Sequence, residues 1–380
     1  MKRLIKKFVS SLLVCATCSI SAFASFDSKI YKSMPEDKNY LISPTSIKFA
    51  LTMLANGANG ETRKEILDLL ETKDIEEYNK LMTSMIKRYS ENKNIKLNIS
   101  NSFWINKDRL KNNSTKVLDS FKDVISKSFN GTFGKVNDKN AVETINNWAY
   151  NKTNGQISNL IDNPLFAACL INAIYFKGDW ASQFKNYSTT VDVFTDAFGR
   201  KCLVDFMHKL DDVLYYEDKD VTAINLPYKD KDIGMYIAIP TSKSFDINKF
   251  NNIIPKMEYR RTDIAIPKFH SEFELELLEL LKKIGINKAF SENSDFSNIF
   301  NNNEEIKVDK AIQKTSIDVT ELGTEASAVT AIALDNCCLE QPPEVDFSAN
   351  RPFYYFIRDN KSGEILFMGR YAFAEKNNKK

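Results

Sequence analysis

Apolar residues recur at helical spacing in the first part of the chain. Ser43 supplies an N-cap and Pro44 a first-turn proline, and the apolar positions between Ile47 and Leu54 then fall on one face of a helix. The same spacing predicts helices from Thr62 to Leu70 and from Ala141 to Tyr150. This part of the chain is therefore expected to be mainly helical.

Short apolar or β-branched runs bounded by glycine, proline or polar residues predict strands in the remainder. A further helix is predicted from Phe273 to Ile284, where Gly285 ends it. Helices come first and strands dominate later without regular alternation, which indicates the α+β class. With no internal repeat or flexible linker, one domain over residues 25–380 is expected. The predicted strands are Asn39–Ile42, Asn101–Asn106, Leu170–Phe176, Leu203–Met207, Ala223–Leu226, Ile233–Ile239, Asp263–Lys268, Phe353–Ile357 and Ile365–Tyr371.

The N-terminus has the three parts of a secretory signal peptide. Residues 2–7 are rich in Lys and Arg, Phe8 to Ile20 is mostly apolar, and Ala22-Phe23-Ala24 resembles a cleavage site. The apolar run is too short to span a bilayer comfortably. We predict a signal peptide at residues 1–24 and a secreted, extracellular protein. Cys15 and Cys18 raise the alternative of a lipid-anchored form, and a periplasmic location is another.

The charge of the mature chain excludes two classes of partner. Removing residues 1–24 takes away four basic and no acidic residues, which changes the formal net charge from +2 to −2. A nearly neutral protein has no general attraction to nucleic acid or to an anionic membrane. No later apolar run is long enough to predict a membrane span.

One segment, Glu321 to Pro343, has an unusual composition, and we call it the loop segment. It contains no Lys or Arg, and nearly every residue between Thr324 and Ala333 is small or β-branched. Such a segment could pair as a strand with Thr324 on the buried face, and Gly323 permits a sharp turn at its entrance. A flexible linker or an Ala-rich helix is the alternative interpretation.

Signals of catalysis are few. The two histidines, His208 and His270, lie in separate strand-like runs, where a structural role is the more usual one. The sequence has no nucleophile elbow, phosphate-binding loop or dinucleotide fingerprint. With so few histidines, a His-rich zinc site is not expected. We therefore expect neither an enzyme nor a bound metal or cofactor.

Short motifs occur in a fixed order over nearly all of the mature chain. They are Leu41-Ile42-Ser43-Pro44-Thr45-Ser46-Ile47, Asn147-Trp148, Lys152-Thr153-Asn154-Gly155, Asn172 to Trp180, Leu226-Pro227-Tyr228, Ile266-Pro267-Lys268-Phe269, Asp295-Phe296-Ser297, Glu321 to Ala326, Asn350-Arg351-Pro352-Phe353 and Phe367-Met368-Gly369-Arg370. In this order and spacing the sequence resembles the serpin family of protease inhibitors. The resemblance implies a serpin fold with three β-sheets, eight to nine helices and an exposed reactive-centre loop at about residues 321–343.

The resemblance also implies a mechanism for the loop segment. A target protease attacks the loop as a substrate, and the cut loop inserts into the central sheet before the acyl-enzyme is hydrolysed. Small hinge residues are typical of the inhibitory members. Val329 and Leu322 of this chain depart mildly from that small-residue pattern. A non-inhibitory serpin, a carrier or chaperone, is the alternative. The matching hinge residues are Glu321, Gly323, Thr324, Glu325, Ala326, Ser327, Ala328 and Thr330.

Five further residues match the region through which the family's sheet opens. Ser43, Ser46 and Asn172 match a polar cluster beneath the sheet, and Trp180 matches the place where insertion begins. The family usually has a histidine in this cluster, but Gln313 takes its place here. Gln313 can replace some hydrogen bonds but cannot titrate, so no pH sensing is expected there.

The spacing from Gly323 implies a scissile bond between Cys337 and Cys338. Leu334, Asn336 and Leu339 remain candidates for the residue before the cut. A trypsin-like target is disfavoured because no Lys or Arg lies between residues 323 and 349. We expect a monomer whose partner is a chymotrypsin-like or elastase-like serine protease, with a papain-like cysteine protease as the alternative.

Overall fold

The computed structural model describes residues 25–112, 114–242, 245–302, 304–324 and 342–374. These residues form a mixed fold of helices and strands, which confirms the predicted α+β class. The eight helices of the described residues are α1 (residues 25–31), α2 (Pro44–Gly57), α3 (Gly60–Leu69), α4 (Ile75–Ser90), α5 (Asp119–Phe129), α6 (Ala141–Lys152), α7 (Ile247–Ile253) and α8 (Leu277–Lys283).

The strands of the described residues belong to two hydrogen-bonded sheets. The smaller sheet has six strands, in the order β10-β11-β12-β4-β2-β3. The larger has the order β1-β15-β14-β8-β7-β6-β9-β13, with β5 also paired to β6. The strands are β1 (Tyr40–Ile42), β2 (Ile95–Asn106), β3 (Thr132–Val136), β4 (Ala168–Asp179), β5 (Thr190–Thr195), β6 (Lys201–Glu217), β7 (Val221–Pro227), β8 (Ile233–Pro240), β9 (Glu258–Pro267), β10 (Phe269–Glu276), β11 (Val308–Val319), β12 (Gly323–Thr324), β13 (Val345–Ser348), β14 (Phe353–Asp359) and β15 (Ile365–Tyr371).

The larger sheet consists of two strand groups that share β6. Leu214 to Glu217 of β6 pair with β7, its first residues pair with β5, and Phe206 to Tyr215 pair with β9. One 17-residue strand therefore links the group around β14 and β8 to the group around β9 and β13. Together with the six-stranded sheet, these two groups account for the three sheets that the resemblance implied.

Helix α2 lies between the two sheets and carries part of the candidate site. Ser43 caps it by accepting a hydrogen bond from the backbone N–H of Ser46, and Pro44 follows in the first turn. The helix contacts β4 and β2 of the six-stranded sheet and β15 of the larger one. Because nearly every residue of α2 is buried, its polar side chains must find partners inside the protein.

The predicted helix from Phe273 to Ile284 is wrong in its first part. Residues Phe273 to Glu276 belong to β10, and α8 begins only at Leu277. In β10 the buried Phe273 alternates with the exposed Glu272 and Glu274, which is the period of a strand. The run of leucines that follows has helical spacing, and the prediction extended that period backwards across the boundary.

Candidate functional site

The candidate site is the place where the loop segment enters the six-stranded sheet. Gly323 and Thr324 form the two-residue strand β12, which lies between β11 and β4. Thr324 pairs with Val319 of β11 and with Gly178 of β4, antiparallel to both. Further from the loop, β11 and β4 pair directly and in parallel, from Val308 to Thr315 of β11. The two strands therefore touch at one end and are separated by the loop segment at the other.

Thr324 is fully buried, in a pocket next to the side chain of Tyr228. Its Oγ1 lies 2.7 Å from the Tyr228 hydroxyl oxygen, at hydrogen-bond distance. The Tyr228 ring stacks on the indole of Trp180, with 4.7 Å between ring centroids and 13° between ring planes. Both aromatic side chains are at most 1% exposed. A small side chain with one hydroxyl fits this pocket, and its polar group is satisfied there.

Gly323 lies too close to the backbone of β4 for any side chain. Its φ is +154°. A Cβ at this position would lie 2.2 Å from the carbonyl oxygen of Gly178 and 2.7 Å from the Cα of Asp179. The loop segment can therefore enter the sheet at this point only through a glycine.

Backbone hydrogen bonds fix the turn that precedes β12. The backbone N–H of Trp180 donates to the carbonyl of Leu322 at 3.0 Å. The Trp180 indole Nε1 donates to the carbonyl of Thr320 at 2.9 Å. The N–H of Thr320 donates in turn to the carbonyl of Gly323 at 2.9 Å. Trp180 thus fixes the turn and also stacks on the Tyr228 ring next to Thr324.

Glu321 anchors the other side of the same turn. Lys268 Nζ lies 2.9 Å from its Oε2, and Thr189 Oγ1 donates to its Oε1 at 3.0 Å. Burial raises the pKa of Glu321, but hydrogen bonds from its own backbone N–H, Lys268 and Thr189 more than offset this, so the pKa lies below its usual value. The carboxylate is therefore ionised at neutral pH and stabilises the turn.

Four of the predicted sheet-opening residues form one buried hydrogen-bond cluster. The Gln313 side chain accepts from the backbone N–H of Ser43 at 2.9 Å and donates to the Ser43 carbonyl at 3.0 Å. Its Nε2 also donates to Oδ1 of Asn172 at 2.7 Å. Asn172 Nδ2 donates to the carbonyl of Ser46 at 3.0 Å. The cluster joins α2 to both β11 and β4, and all four residues are fully buried.

The structure adds residues that the sequence interpretation did not assign to the site. Asn101 of β2 pairs with Asn172, and its Oδ1 accepts from Asn172 Nδ2 at 2.6 Å. Tyr228 and Lys268 lie in two of the sequence motifs, but neither was predicted as a site residue. The signal for Asn101 was a polar residue at the start of an apolar predicted strand, which is typical of a buried residue with a polar partner.

The predicted site residues thus lie in two locations, the buried cluster and the loop entrance. Ser43, Ser46, Asn172 and Gln313 come together, whereas Trp180 lies with Thr324 at the entrance of the loop segment. Several predicted residues lie outside the described part of the chain, namely Glu325, Ala326, Ser327, Ala328, Thr330, Cys337 and Cys338.

The two histidines lie in different sheets. His208 in β6 has Nε2 3.0 Å from Thr190 Oγ1, and His270 in β10 has Nδ1 2.7 Å from Asp318 Oδ1. In the described ranges, no group of three His, Cys, Asp or Glu side chains could hold a metal ion. Nor does any helix in that part of the chain have the length and hydropathy to cross a membrane.

Tyr228→Phe should retain the stack on Trp180 but leave the Thr324 hydroxyl buried without its partner. We expect the free energy of unfolding to fall by about 1–3 kcal/mol. Thr324→Val removes the other hydroxyl, and the double variant should lose less than the sum of the two single losses. Urea denaturation of the four proteins measures this coupling. Strictly additive losses would show that the two hydroxyls do not interact.

Gln313→His should make the buried cluster sensitive to pH. Burial disfavours the imidazolium, so the pKa of the new histidine should fall below the value of about 6.5 expected in the unfolded chain. The unfolded variant then binds more protons, and its stability relative to wild type should decrease as the pH falls through that range. Urea denaturation at about pH 5.5 and about pH 8 measures the difference. A difference that is constant with pH would contradict the prediction.

Known proteins share this architecture over almost the whole chain. A family model described as Serpin (serine protease inhibitor) matches residues 21–373. An uncharacterised serpin-like protein of Thermococcus kodakarensis is 30% identical over 371 residues, which cover 92% of this chain and 84% of that protein. The native structure of tengpin, a thermophilic serpin, has a TM-score of 0.85 at 28% identity, with coverage of 93% and 94%.

A structure of thyroxine-binding globulin in complex with thyroxine is also similar. It has a TM-score of 0.81 at 25% identity and covers 94% of this chain and 99% of that one. The family match, the relative and the structures each cover nearly the whole described chain. The chain therefore belongs to the serpin family.

Proposed function

We propose that this serpin is an inhibitor of serine proteases that acts as a suicide substrate. The observation that carries the proposal is the position of Gly323 and Thr324 between β11 and β4. Two residues of the loop segment already occupy the place of a new central strand. After a protease cuts the loop, pairing can continue from this nucleus along both neighbouring strands.

Next to β12, a short stretch of β11 and β4 lacks direct ladder pairing between the two strands in the described chain. Direct pairing of the two strands ends at Thr315 and Ile174, and β12 pairs at Val319 and Gly178. No ladder pair of the described chain joins residues 316–318 to residues 175–177. Backbone groups facing this gap could accept an inserted strand before any existing ladder has to break.

Deeper insertion must then separate Gln313 from Asn172. These residues are paired positions of β11 and β4, and their side chains are joined by the 2.7 Å hydrogen bond. An inserted strand would come between them, and the small side chains predicted for the inner face of the loop segment would limit the steric cost. The buried cluster is therefore proposed as the latch that insertion opens.

Trapping requires that the cut loop inserts into the sheet before water hydrolyses the bond to the protease. The protease serine attacks the carbonyl of the residue before the scissile bond, and the bond breaks with release of a new amino terminus. The N-terminal part of the inhibitor stays attached as an ester. We propose that insertion from β12 onwards carries this ester away and disturbs the catalytic groups before water hydrolyses it.

The proposed scissile bond lies between Cys337 and Cys338, and the proposed targets are chymotrypsin-like or elastase-like. A small or apolar side chain fits the pockets of such proteases, whereas a trypsin-like pocket requires a Lys or Arg that this loop lacks. A papain-like cysteine protease remains the alternative target. We further propose that the protein is secreted as a monomer after loss of residues 1–24.

Incubation with chymotrypsin, elastase, trypsin and papain tests this function. A complex with chymotrypsin or elastase should survive a denaturing gel, because the ester bond is covalent. The released C-terminal peptide should begin at Cys338, as measured by mass spectrometry. A stable complex with trypsin alone, or a peptide that begins elsewhere, would contradict the proposed target or scissile bond.

Thr324→Arg should convert the inhibitor into an ordinary substrate. Thr324 is fully buried against Tyr228, and burying an unpaired arginine charge there would cost several kcal/mol. The variant should be cut without forming a complex. Thr324→Ser, which retains the hydroxyl, is the matched control and should still trap the protease. Undiminished trapping by Thr324→Arg would contradict the insertion mechanism.

A carrier function is the second candidate, and one pocket favours it. A pocket of about 270 Å³ lies between α1, the start of α7 and β14. The ring of Tyr354 from β14 lines it. Because most of the rings that line it are aromatic, such a pocket suits a small aromatic ligand. The other lining residues are Tyr31, Lys32, Met34, Pro35, Glu36, Tyr40, Phe245 and Asp246.

The same protease panel separates the two candidates. A carrier would be cut by the proteases without forming any complex that survives denaturation. It would also bind an aromatic probe such as an iodinated tyrosine derivative, measured by quenching of tyrosine fluorescence. Complex formation without such binding would rule out the carrier function.

A further inference from the structure

A buried cluster of three ionisable side chains lies apart from the loop entrance. Lys48 of α2 reaches Asp27 of α1 and Glu364, which immediately precedes β15. Lys48 Nζ lies 2.9 Å from Asp27 Oδ1 and 2.8 Å from Glu364 Oε1. The three side chains are 1%, 5% and 1% exposed, so water does not screen their charges.

The surroundings of this cluster are largely apolar and leave it incompletely satisfied. Lys48 Nζ lies 5.5 Å from the centroid of the Phe26 ring, and Thr45 donates a hydrogen bond to Glu364 Oε1 at 2.7 Å. Apart from Lys48, Asp27 Oδ1 has no hydrogen-bond donor among the described residues, and Glu364 Oε2 has none there. One ammonium thus faces two buried carboxyl groups, an arrangement that is unfavourable as a set of full charges.

We propose that Lys48 and Asp27 become joined, once the chain has folded, by an intramolecular amide bond between Lys48 Nζ and Asp27 Cγ. Glu364 assists this reaction by accepting and returning a proton. The bond would tie α1 to α2 covalently. It would also replace two buried charges with one neutral amide, which costs far less to bury.

The reaction balances with groups that the cluster already holds. Transfer of one proton from Lys48 to Asp27 gives a neutral amine and a neutral carboxylic acid. The amine nitrogen attacks Cγ, and its second proton moves to Glu364 Oε1. Glu364 passes that proton to the departing hydroxyl, which leaves as one molecule of water. No oxidant, cofactor or activating nucleotide is required.

Geometry and burial both favour this condensation over hydrolysis. Nucleophile and acid are held at contact distance by two packed helices, which raises their effective concentration by orders of magnitude. Burial raises the pKa of Asp27 to about 7, against the opposing charge of Lys48. A substantial fraction of the acid is therefore in the reactive neutral form near neutral pH.

Formation of the free Lys48 amine limits the rate of the reaction. Burial lowers the pKa of Lys48, but the charges of Asp27 and Glu364 more than compensate and raise it above the usual value. The free amine must therefore form by proton transfer inside the cluster. This is why a carboxylate next to the nitrogen is needed, and Glu364, which also accepts a hydrogen bond from Thr45, is positioned to serve as this base.

Mass spectrometry of the folded, reduced mature protein tests the proposal. Loss of one water should lower the intact mass by about 18 Da relative to the sequence. Trypsin should then release one branched peptide in which residues 25–29 are joined to residues 39–63. An intact mass that equals the sequence mass would overturn the proposal. So would a mass loss that maps to a cyclised Asp27 or to a link with the peptide 362–370.

Substitutions that preserve charge or shape test the amide reaction without removing the packing of the cluster. Lys48→Arg keeps the cation but cannot form this amide, so its full mass should be retained. Glu364→Gln keeps the shape and removes the base, so linkage after refolding should slow at least about tenfold. Asp27→Asn offers ammonia as the leaving group and should lose about 17 Da if it reacts. A water loss that persists in Lys48→Arg, or an unchanged rate in Glu364→Gln, would contradict the mechanism.

Discussion

The incomplete pairing of β4 with β11 is the constraint on which the rest of this structure depends. The strands pair directly over one part of their length and are separated by two loop residues over another. Each strand is also bonded on its outer side, β4 to β2 and β11 to β10. Insertion between β4 and β11, as proposed, would therefore leave both outer ladders paired.

The two ends of this contact are held by different kinds of interaction. At the loop entrance, Tyr228 stacks on Trp180 and lies at hydrogen-bond distance from Thr324, and Gly323 allows the backbone to pass. Further along, Gln313 and its partners form a polar latch anchored on α2. A shape-selective entrance and a hydrogen-bonded latch in series would let one strand enter while the native sheet stays closed to others.

Much of the fold could be predicted from the sequence, because helix caps and runs of apolar residues are patterns of neighbouring positions. Ser43 and Pro44 marked the start of α2, and apolar runs marked most strands of the larger sheet. In the six-stranded sheet they marked only β2 and β4, and the loop segment contained β12. The boundary between β10 and α8 was missed because a two-residue period changes to a helical one within a single apolar stretch. The hydrogen bond between Thr324 and Tyr228 depends on residues 96 positions apart, so no local pattern could reveal it.

The thermal stability of the cleaved protein tests the central claim most directly. The intact chain and the chain cut once in the loop segment would be compared by differential scanning calorimetry. If the free part of the loop inserts between β11 and β4, the midpoint of unfolding should rise by about 10 °C or more, because a full central strand adds many hydrogen bonds and buried contacts. An unchanged or lower midpoint after cleavage would contradict the account.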